Sequence, residues 1–261
     1  MIDFDLASVE KVAAIDRVAS SIIRSPAIDV GCGLGWSTRR VLGDCEPVAL
    51  DAWYPNLLAV RRELPRARMV QATAAAIPFA DDTFATALCS EVLEHVEDDA
   101  GMVAEIARVL RPGGHLILTV PSLFYGFDSY LHRVGLKTVH DFPGPEQHVR
   151  PGYSAEHLRL LLAANGVDVV AVEYIFKPAT KLMIDAVSLG NRLYQRVVHG
   201  RSVWTWSDVA DQAVAGGLVF RAYRLLYPLL RLVASLDRLW PSAGGFGLVL
   251  LARKRDAAGA R

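Results

Sequence analysis

The segment AIDVGCGLGWST combines glycines in a spacing that can hold a small ligand against bare backbone. Gly31, Gly33 and Gly35 follow a short apolar run and precede an amphipathic segment that begins near Trp36. A residue without Cβ lets a ligand approach the main chain, and the first turn of a helix offers unpaired N–H groups. The spacing is Gly-x-Gly-x-Gly, not the Gly-x-Gly-x-x-Gly of dinucleotide-binding folds. The pattern predicts a binding loop, with a simple tight strand-to-helix turn as the alternative.

Two aspartates accompany this loop. Asp29 directly precedes it, and a carboxylate there suits a ligand with an ammonium or another cation, whereas a pyrophosphate would be repelled. Asp51 ends the second apolar run, 16 residues after Gly35, where an acidic side chain can accept both hydroxyls of a ribose. The alternative for Asp51 is a solvated loop acid. The two acids in this order favour a ligand with both a cationic group and a sugar.

Up to residue 175, short apolar runs alternate with amphipathic segments, which is typical of a parallel sheet with helical crossovers. Arg111 to Gly114 are predicted to stop one helix and turn into the next strand, because proline cannot continue a helix. The predicted strands are Ala27–Val30, Val48–Leu50, Arg68–Ala72, Phe84–Cys89, His115–Val120 and Val167–Ile175. The predicted helical faces are Met102, Val103, Ile106, Val109 and Leu110, and then Leu158, Leu161 and Leu162.

Three blocks resemble the class I S-adenosylmethionine-dependent methyltransferases, especially the group with quinone-biosynthesis and small-molecule enzymes. They are AIDVGCGLGWST, VALDAWYPNLL and AAIPFADDTFATALCSEVLEHVEDDAGMVAEIARVLRPGGHLILTVPS. Within the third block, Ile77-Pro78-Phe79, Leu93-Glu94-His95 and Leu110 to Gly114 have very similar spacing in that family. The resemblance covers residues 25–175 and a terminal strand at 246–253. It implies a doubly wound, Rossmann-like α/β fold with a seven-stranded, mostly parallel sheet, and methyl transfer from S-adenosylmethionine.

The resemblance also implies roles for individual residues. Asp29 and the glycine loop would hold the methionine portion, Asp51 the ribose, and Trp53 or a neighbour would lie near the adenine. Thr73 stands where the family commonly has an acid that contacts the adenine amino group, so adenine selectivity would depend more on the backbone of Ala74. The expected cofactor-binding residues are Asp29, Gly31, Cys32, Gly33, Gly35, Asp51, Ala52, Trp53, Thr73, Ala74, Ser90 and Glu91. No metal site is expected.

A sulfonium methyl donor chiefly requires alignment of the acceptor, so no nucleophile or metal is obligatory. If the acceptor carries a proton, a nearby base would accelerate transfer. His140 and His148 are the candidate bases, because they lie in the segment HDFPGPEQHVRPGYS, where the family's substrate loop runs. Their alternative is a structural role in that loop. His95, with Glu91 and Glu94, either accepts a proton or shapes the turn after the fourth strand.

The C-terminal third has a different charge balance. Residues 176–261 contain thirteen Lys and Arg against five Asp and Glu, net +8, which leaves −8 for residues 1–175. We therefore expect a core at 1–175, a helical insertion or cap at 176–245 between strands six and seven, and a terminal strand with a basic tail at 246–261. Within 218–239, four arginines fall on one helical stripe, which favours contact with a membrane surface. The alternative is packing on the sheet or in a homodimer.

Composition excludes several classes of protein. The 261 residues carry 28 basic and 28 acidic side chains, which disfavours a disordered tail and a nucleic-acid partner. Three dispersed cysteines and an acidic N-terminus predict a cytoplasmic protein, peripheral at most on the inner membrane surface. The predicted function is methyl transfer to a small or lipid-like acceptor at O, N or C. The alternatives are a non-catalytic S-adenosylmethionine-binding module and an NAD-dependent oxidoreductase.

Overall fold

A seven-stranded sheet forms the framework of the computed structural model, which describes residues 6–123, 149–186, 218–240 and 244–256. The strand order is β3-β2-β1-β4-β5-β7-β6. Strands β1 to β5 pair in parallel, and β7 runs antiparallel to β5. The strands are β1 (Ala27–Val30), β2 (Val48–Asp51), β3 (Arg68–Gln71), β4 (Phe84–Ser90), β5 (Leu110–Pro121), β6 (Val167–Ile175) and β7 (Gly247–Lys254). The predicted doubly wound, mostly parallel sheet is confirmed.

Helices lie between most of these strands, and the two helical faces that the apolar spacing predicted are present, apart from Leu110. Side chains fix two of their starts: Asp98 Oδ1 accepts from the Gly101 amide at 2.8 Å, and Ser154 Oγ accepts from the His157 amide at 3.1 Å. The helices are α1 (Leu6–Ala19), α2 (Trp36–Leu42), α3 (Tyr54–Glu63), α4 (Asp99–Val109), α5 (Ala155–Ala164), α6 (178–186) and α7 (Leu218–Ala234). Helices α6 and α7 belong to the predicted helical stretch between β6 and β7.

The central strands are buried on both faces, as their continuous apolar sequences require. All four residues of β1 and of β2 are buried. In the strand register Asp29 lies opposite Ala49 of β2 and Leu88 of β4. Because these strands are parallel, their carboxyl ends share one edge of the sheet. The residues that follow β1, β2 and β4 are thereby brought together.

The segment Leu110 to Gly114 differs from its prediction. Leu110 starts β5 instead of completing a helical face, and Arg111 to Gly114 lie within the strand instead of in a turn before it. Phe84 pairs with Leu110 and Thr86 pairs with His115, so the six residues 110–115 of β5 span the three residues 84–86 of β4. The proline and glycines therefore form an irregularity in the strand, with Gly113 at φ 73°. The segment Leu110 to Gly114 does follow the end of α4, as predicted, but no separate loop lies between α4 and β5.

The described residues fall into two compact units. The first contains 11–123, 149–173 and 247–256, and the second contains 6–10, 174–186, 218–240 and 244–246. Inside the second unit, Asp237 accepts from the amides of Ala179 and Thr180 at 2.8 and 3.0 Å. The Lys181 ammonium lies 5.2 Å from the centre of the Phe246 ring. Within the part of the chain that is described, no helix is long and apolar enough to cross a membrane. The domain boundaries inferred from the sequence remain a prediction.

Tyr153 fixes the chain beside the site. Its ring is fully buried, and its hydroxyl lies 3.1 Å from both the Leu93 carbonyl oxygen and Asp99 Oδ2. We expect Tyr153→Phe to lower the free energy of unfolding by about 1–2 kcal/mol, because the Leu93 carbonyl oxygen and the partly buried Asp99 carboxylate lose the phenolic donor that they share. Urea denaturation measures this difference. Tyr54→Phe, at an exposed position, is the control, and equal stability of the two variants would contradict the prediction.

Candidate functional site

The glycine loop between β1 and α2 is shaped by three glycines in left-handed conformation, with φ of 76° at Gly31, 51° at Gly33 and 79° at Gly35. A Cβ on Gly31 would lie 2.5 Å from Val92 Cγ2, and one on Gly35 would lie 2.7 Å from Val60 Cγ2. These two glycines therefore allow close packing. A Cβ on Gly33 would meet nothing within 4 Å. The loop thus leaves open space at its middle glycine, where bare backbone can face a ligand.

Asp51 links the end of β2 to this loop. Its Oδ2 accepts from the Gly33 amide at 2.8 Å, and its Oδ1 accepts from the Trp53 amide at 2.8 Å. The side chain is mostly buried, whereas the Trp53 ring is 57% exposed beside it. Each carboxylate oxygen retains a second acceptor position. Asp51 can therefore accept from a ligand diol while it holds the loop.

Asp29 is a buried carboxyl group with incomplete hydrogen bonding. Thr38 Oγ1 donates to Asp29 Oδ2 at 2.5 Å, whereas Asp29 Oδ1 has no partner among the described residues. Burial raises the pKa of Asp29 to about 7; the Thr38 hydrogen bond lowers it, and the charge of Asp51 raises it again. A cationic ligand group, reached directly or through a water, would stabilise the ionised form.

A polar chain lies at the ends of β4 and β5. Thr119 Oγ1 donates to Glu91 Oε1 at 2.9 Å and also lies 2.9 Å from Ser90 Oγ. Because the single hydroxyl proton of Thr119 goes to Glu91, Ser90 is the donor to Thr119. Glu91 has φ 57°, and Lys11 Nζ lies 4.0 Å from its Oε1. A non-glycine residue held in this conformation is oriented by its neighbours.

Glu94 is the second buried acid near this edge. Neither of its carboxylate oxygens has a hydrogen-bond partner in the described ranges. Burial, and then the charge of Glu91, raise the pKa of Glu94 well above its ordinary value of 4.5. His95 follows in the same short helical turn, with Nε2 4.0 Å from Glu94 Oε1. Burial therefore favours the neutral form of Glu94.

The structure brings most of the predicted cofactor residues to one edge of the sheet. Thr73, Ala74 and Cys32 differ from the others in exposure or packing. Thr73 is exposed just beyond β3, and Ala74 beside it is half-buried. Cys32 packs with Leu57 and Val60, and burial raises the pKa of its thiol, so it serves packing. The proposed bases His140 and His148 lie outside the described residues.

Sequence reasoning missed three residues of this site: Thr38, Thr119 and Lys11. Thr38 is buried in α2 and bonds to Asp29 nine positions earlier. Thr119 contacts Glu91 across neighbouring strands, 28 positions away. Neither separation matches a helical or strand period, so only the three-dimensional register could reveal these contacts.

Comparisons with known proteins give a family for part of the chain. A family model described as a methyltransferase domain matches residues 28–118, which include the glycine loop, most of β1 and the strands β2 to β4. This region is a methyltransferase domain similar to those of S-adenosylmethionine-dependent methyltransferases. A probable S-adenosylmethionine-dependent methyltransferase of Mycobacterium tuberculosis is 29% identical over 154 residues, which cover 59% of this chain. The match spans 53% of that relative, so this chain spans about half the length of the relative.

Solved structures share the fold of this chain. The cyclase SpnF has a TM-score of 0.57 at 20% identity, covering 95% of this chain and 80% of that chain. A Burkholderia thailandensis 1,6-didemethyltoxoflavin-N1-methyltransferase, solved with S-adenosylhomocysteine, has a TM-score of 0.53 at 17% identity. The match covers 97% of this chain and 80% of the Burkholderia thailandensis chain. At these identities the likeness concerns the fold alone.

The residues of the site fit S-adenosylmethionine, the cofactor of the family. The unpaired oxygen of buried Asp29 matches the ammonium group, and the spare acceptor positions of Asp51 match the ribose hydroxyls. The open space at Gly33 leaves room for the ligand between these acids. The described ranges contain no group of three or more His, Cys, Asp or Glu side chains that could hold a metal ion.

The pKa of Asp29 predicts how cofactor binding depends on pH. Because this pKa is raised to about 7, the carboxylate becomes ionised as the pH rises through that value. We expect S-adenosylhomocysteine to bind roughly tenfold more weakly at about pH 6 than at about pH 8, by isothermal titration calorimetry. Asp29→Asn should weaken binding and remove this dependence, whereas exposed Asp44→Asn should change neither. A pH-independent dissociation constant in the unmodified protein would contradict this role.

The buried carboxyl of Glu94 predicts a pH dependence of stability. Its folded-state pKa is raised, so the folded state binds more protons and stability falls as the pH rises above about 4.5. Glu94→Gln removes this titration, and its free energy of unfolding should therefore fall less steeply with pH. Chemical denaturation at several pH values measures both slopes. Glu97→Gln, at an exposed position, should keep the original slope; parallel slopes for all three proteins would refute the assignment.

Proposed function

We propose that this chain transfers the methyl group of S-adenosylmethionine to a small or lipid-like acceptor at O, N or C. The observation that carries the proposal is the pair of acids on either side of the open glycine loop. Asp51 holds the Gly33 amide and has free acceptor positions, while the buried Asp29 has one carboxylate oxygen without a partner in the described chain. A ligand with an ammonium group and a sugar diol complements this pair.

Asp29 also favours this ligand over NAD. A dinucleotide would place a pyrophosphate at the loop, where an ionised Asp29 carboxylate opposes it. The glycine spacing differs from the dinucleotide fingerprint as well. We therefore rank an NAD-dependent oxidoreductase below the methyltransferase.

The bound cofactor would supply an electrophilic methyl group on a sulfonium. The protein then has to position the methyl acceptor, since holding it in line with the methyl group can lower the barrier by about 7–11 kcal/mol. Asp29 and Asp51 would fix the donor at two points. The Ser90, Thr119 and Glu91 chain at the ends of β4 and β5 would orient polar groups beside the reacting region.

A general base is needed only when the methyl acceptor carries a proton, as a hydroxyl or an acidic carbon does. We keep His140 and His148 as the proposed bases, and such a base would raise the rate by roughly 10² to 10⁴. Glu91 is a further candidate, because Thr119 Oγ1 donates to its Oε1 at 2.9 Å and so orients the carboxyl group at the ends of β4 and β5.

Two observations support the alternatives to methyl transfer, which are cofactor binding without catalysis and catalysis of a different reaction. Thr73 stands in place of an adenine-contacting acid, and the fold is shared with the cyclase SpnF. A fold of this kind supports more than one chemistry, so activity has to be tested directly.

We also propose a cytoplasmic location, which the three free cysteines support.

Incubation with S-adenosylmethionine labelled in the methyl group, together with an extract of the producing cell, tests the function. We expect label to appear in a small-molecule or lipid fraction with the unmodified protein. Asp51→Ala should raise the KM for the cofactor roughly 10- to 100-fold, because the loop and the diol both lose their acceptor. Asp44→Ala, at an exposed site on the same unit, is the matched control.

Calorimetric titrations with S-adenosylhomocysteine and NAD distinguish the alternatives. Binding of S-adenosylhomocysteine without any label transfer would favour the non-catalytic module. Binding of NAD without S-adenosylhomocysteine would overturn the proposal in favour of an oxidoreductase.

A further inference from the structure

The segment 218–240 carries the largest group of exposed leucines in the second unit of the described chain. Leu225, Leu229 and Leu232 of α7 are 82%, 56% and 66% exposed. Their spacing of four and three residues places them on one face of the helix. The face continues into the short turn Ser235–Leu239, where Leu236 and Leu239 are also exposed, and then to Trp240. A contiguous apolar surface of this kind marks an interaction site.

Basic side chains flank these leucines. Arg221, Arg224 and Arg231 are exposed, and their spacing of three and seven residues places them along one side of the leucine stripe. Arg238 adds a fourth guanidinium in the turn that follows. The acidic residue of 218–240 is Asp237, and both its oxygens accept from the amides of Ala179 and Thr180. The segment therefore presents apolar and cationic groups together.

We propose that α7 and the following turn bind the surface of an anionic lipid bilayer. The leucines and Trp240 would enter the region between headgroups and acyl chains, and the arginines would contact the anionic headgroups. The helix lies along the bilayer, because it is too short and too rich in arginine to cross it. Acquisition of lipid-like substrates from a membrane would follow naturally, but the binding itself does not depend on catalysis.

Charge complementarity favours a bilayer over a second copy of the chain. In an antiparallel twofold contact between two α7 faces, the arginine stripes of both copies would lie on the same side of the contact and repel each other. Asp237 cannot relieve this repulsion without losing its backbone contacts to α6. An anionic bilayer offers both an apolar interior for the leucines and negative charge for the arginines.

Flotation of the full chain with vesicles tests the proposal. Vesicles of phosphatidylcholine with phosphatidylserine should carry the protein, whereas vesicles of phosphatidylcholine alone should carry at least several-fold less. Salt should weaken the binding, because the headgroup contacts are screened. Leu225→Gln/Leu232→Gln should lower flotation on anionic vesicles several-fold. Arg231→Glu/Arg238→Glu should abolish the preference for phosphatidylserine.

Arg159→Glu/Leu160→Gln is the matched control, since it changes an exposed arginine and an exposed leucine on α5. It should float as the unmodified protein does. Thermal shift by S-adenosylhomocysteine, measured on every sample, verifies folding and separates failure here from failure of the proposed methyl transfer. Absence of flotation, or flotation that none of the α7 variants reduces, overturns the proposal. Concentration-dependent dimerisation that Leu225→Gln/Leu232→Gln abolishes, without flotation, would instead assign the face to a second copy.

Discussion

The site depends on keeping an acidic group out of water at the end of a buried strand. Asp29 lies in β1 between two parallel neighbours, and one of its oxygens has no partner in the described chain. Such a group destabilises the folded protein when it is ionised, and its pKa is raised to about 7 as a result. A cationic ligand offsets this cost, so affinity for the ligand and instability of the free site have the same origin.

Asp51, the second acid of the site, has a different role from Asp29. Asp51 is tied by the amides of Gly33 and Trp53, so its carboxylate is already oriented before a ligand binds. The loop that carries Gly33 is ordered by the same contacts. Preorganised acceptors of this type lose little freedom on binding. The site therefore combines one unsatisfied group, which drives binding, with one satisfied group, which sets geometry.

Much of this arrangement could be predicted from the sequence, because the signals are local. The glycine spacing after β1 and the acid at the end of β2 follow from the order of elements, and Ala27–Val30 and Val167–Ile175 match the predicted strands. Thr38 and Thr119 could not be predicted, since their partners are set by register across the sheet. The apolar spacing of α4 continues to Leu110 and predicts a helix there, yet pairing with Phe84 places Leu110 in a strand. Tertiary pairing overrode the local period there.

The order of strands has a consequence for how the chain reaches its native state. Strand β7 lies between β5 and β6, although it comes last of the seven along the chain. During synthesis β6 emerges before the strand that joins it to the rest of the sheet, so the unpaired edge of β5 is open to other chains in the interval. This long-range pairing also raises the contact order, which slows folding. Aggregation of nascent or partly folded chains should therefore begin at β5, on the side where β7 is still missing.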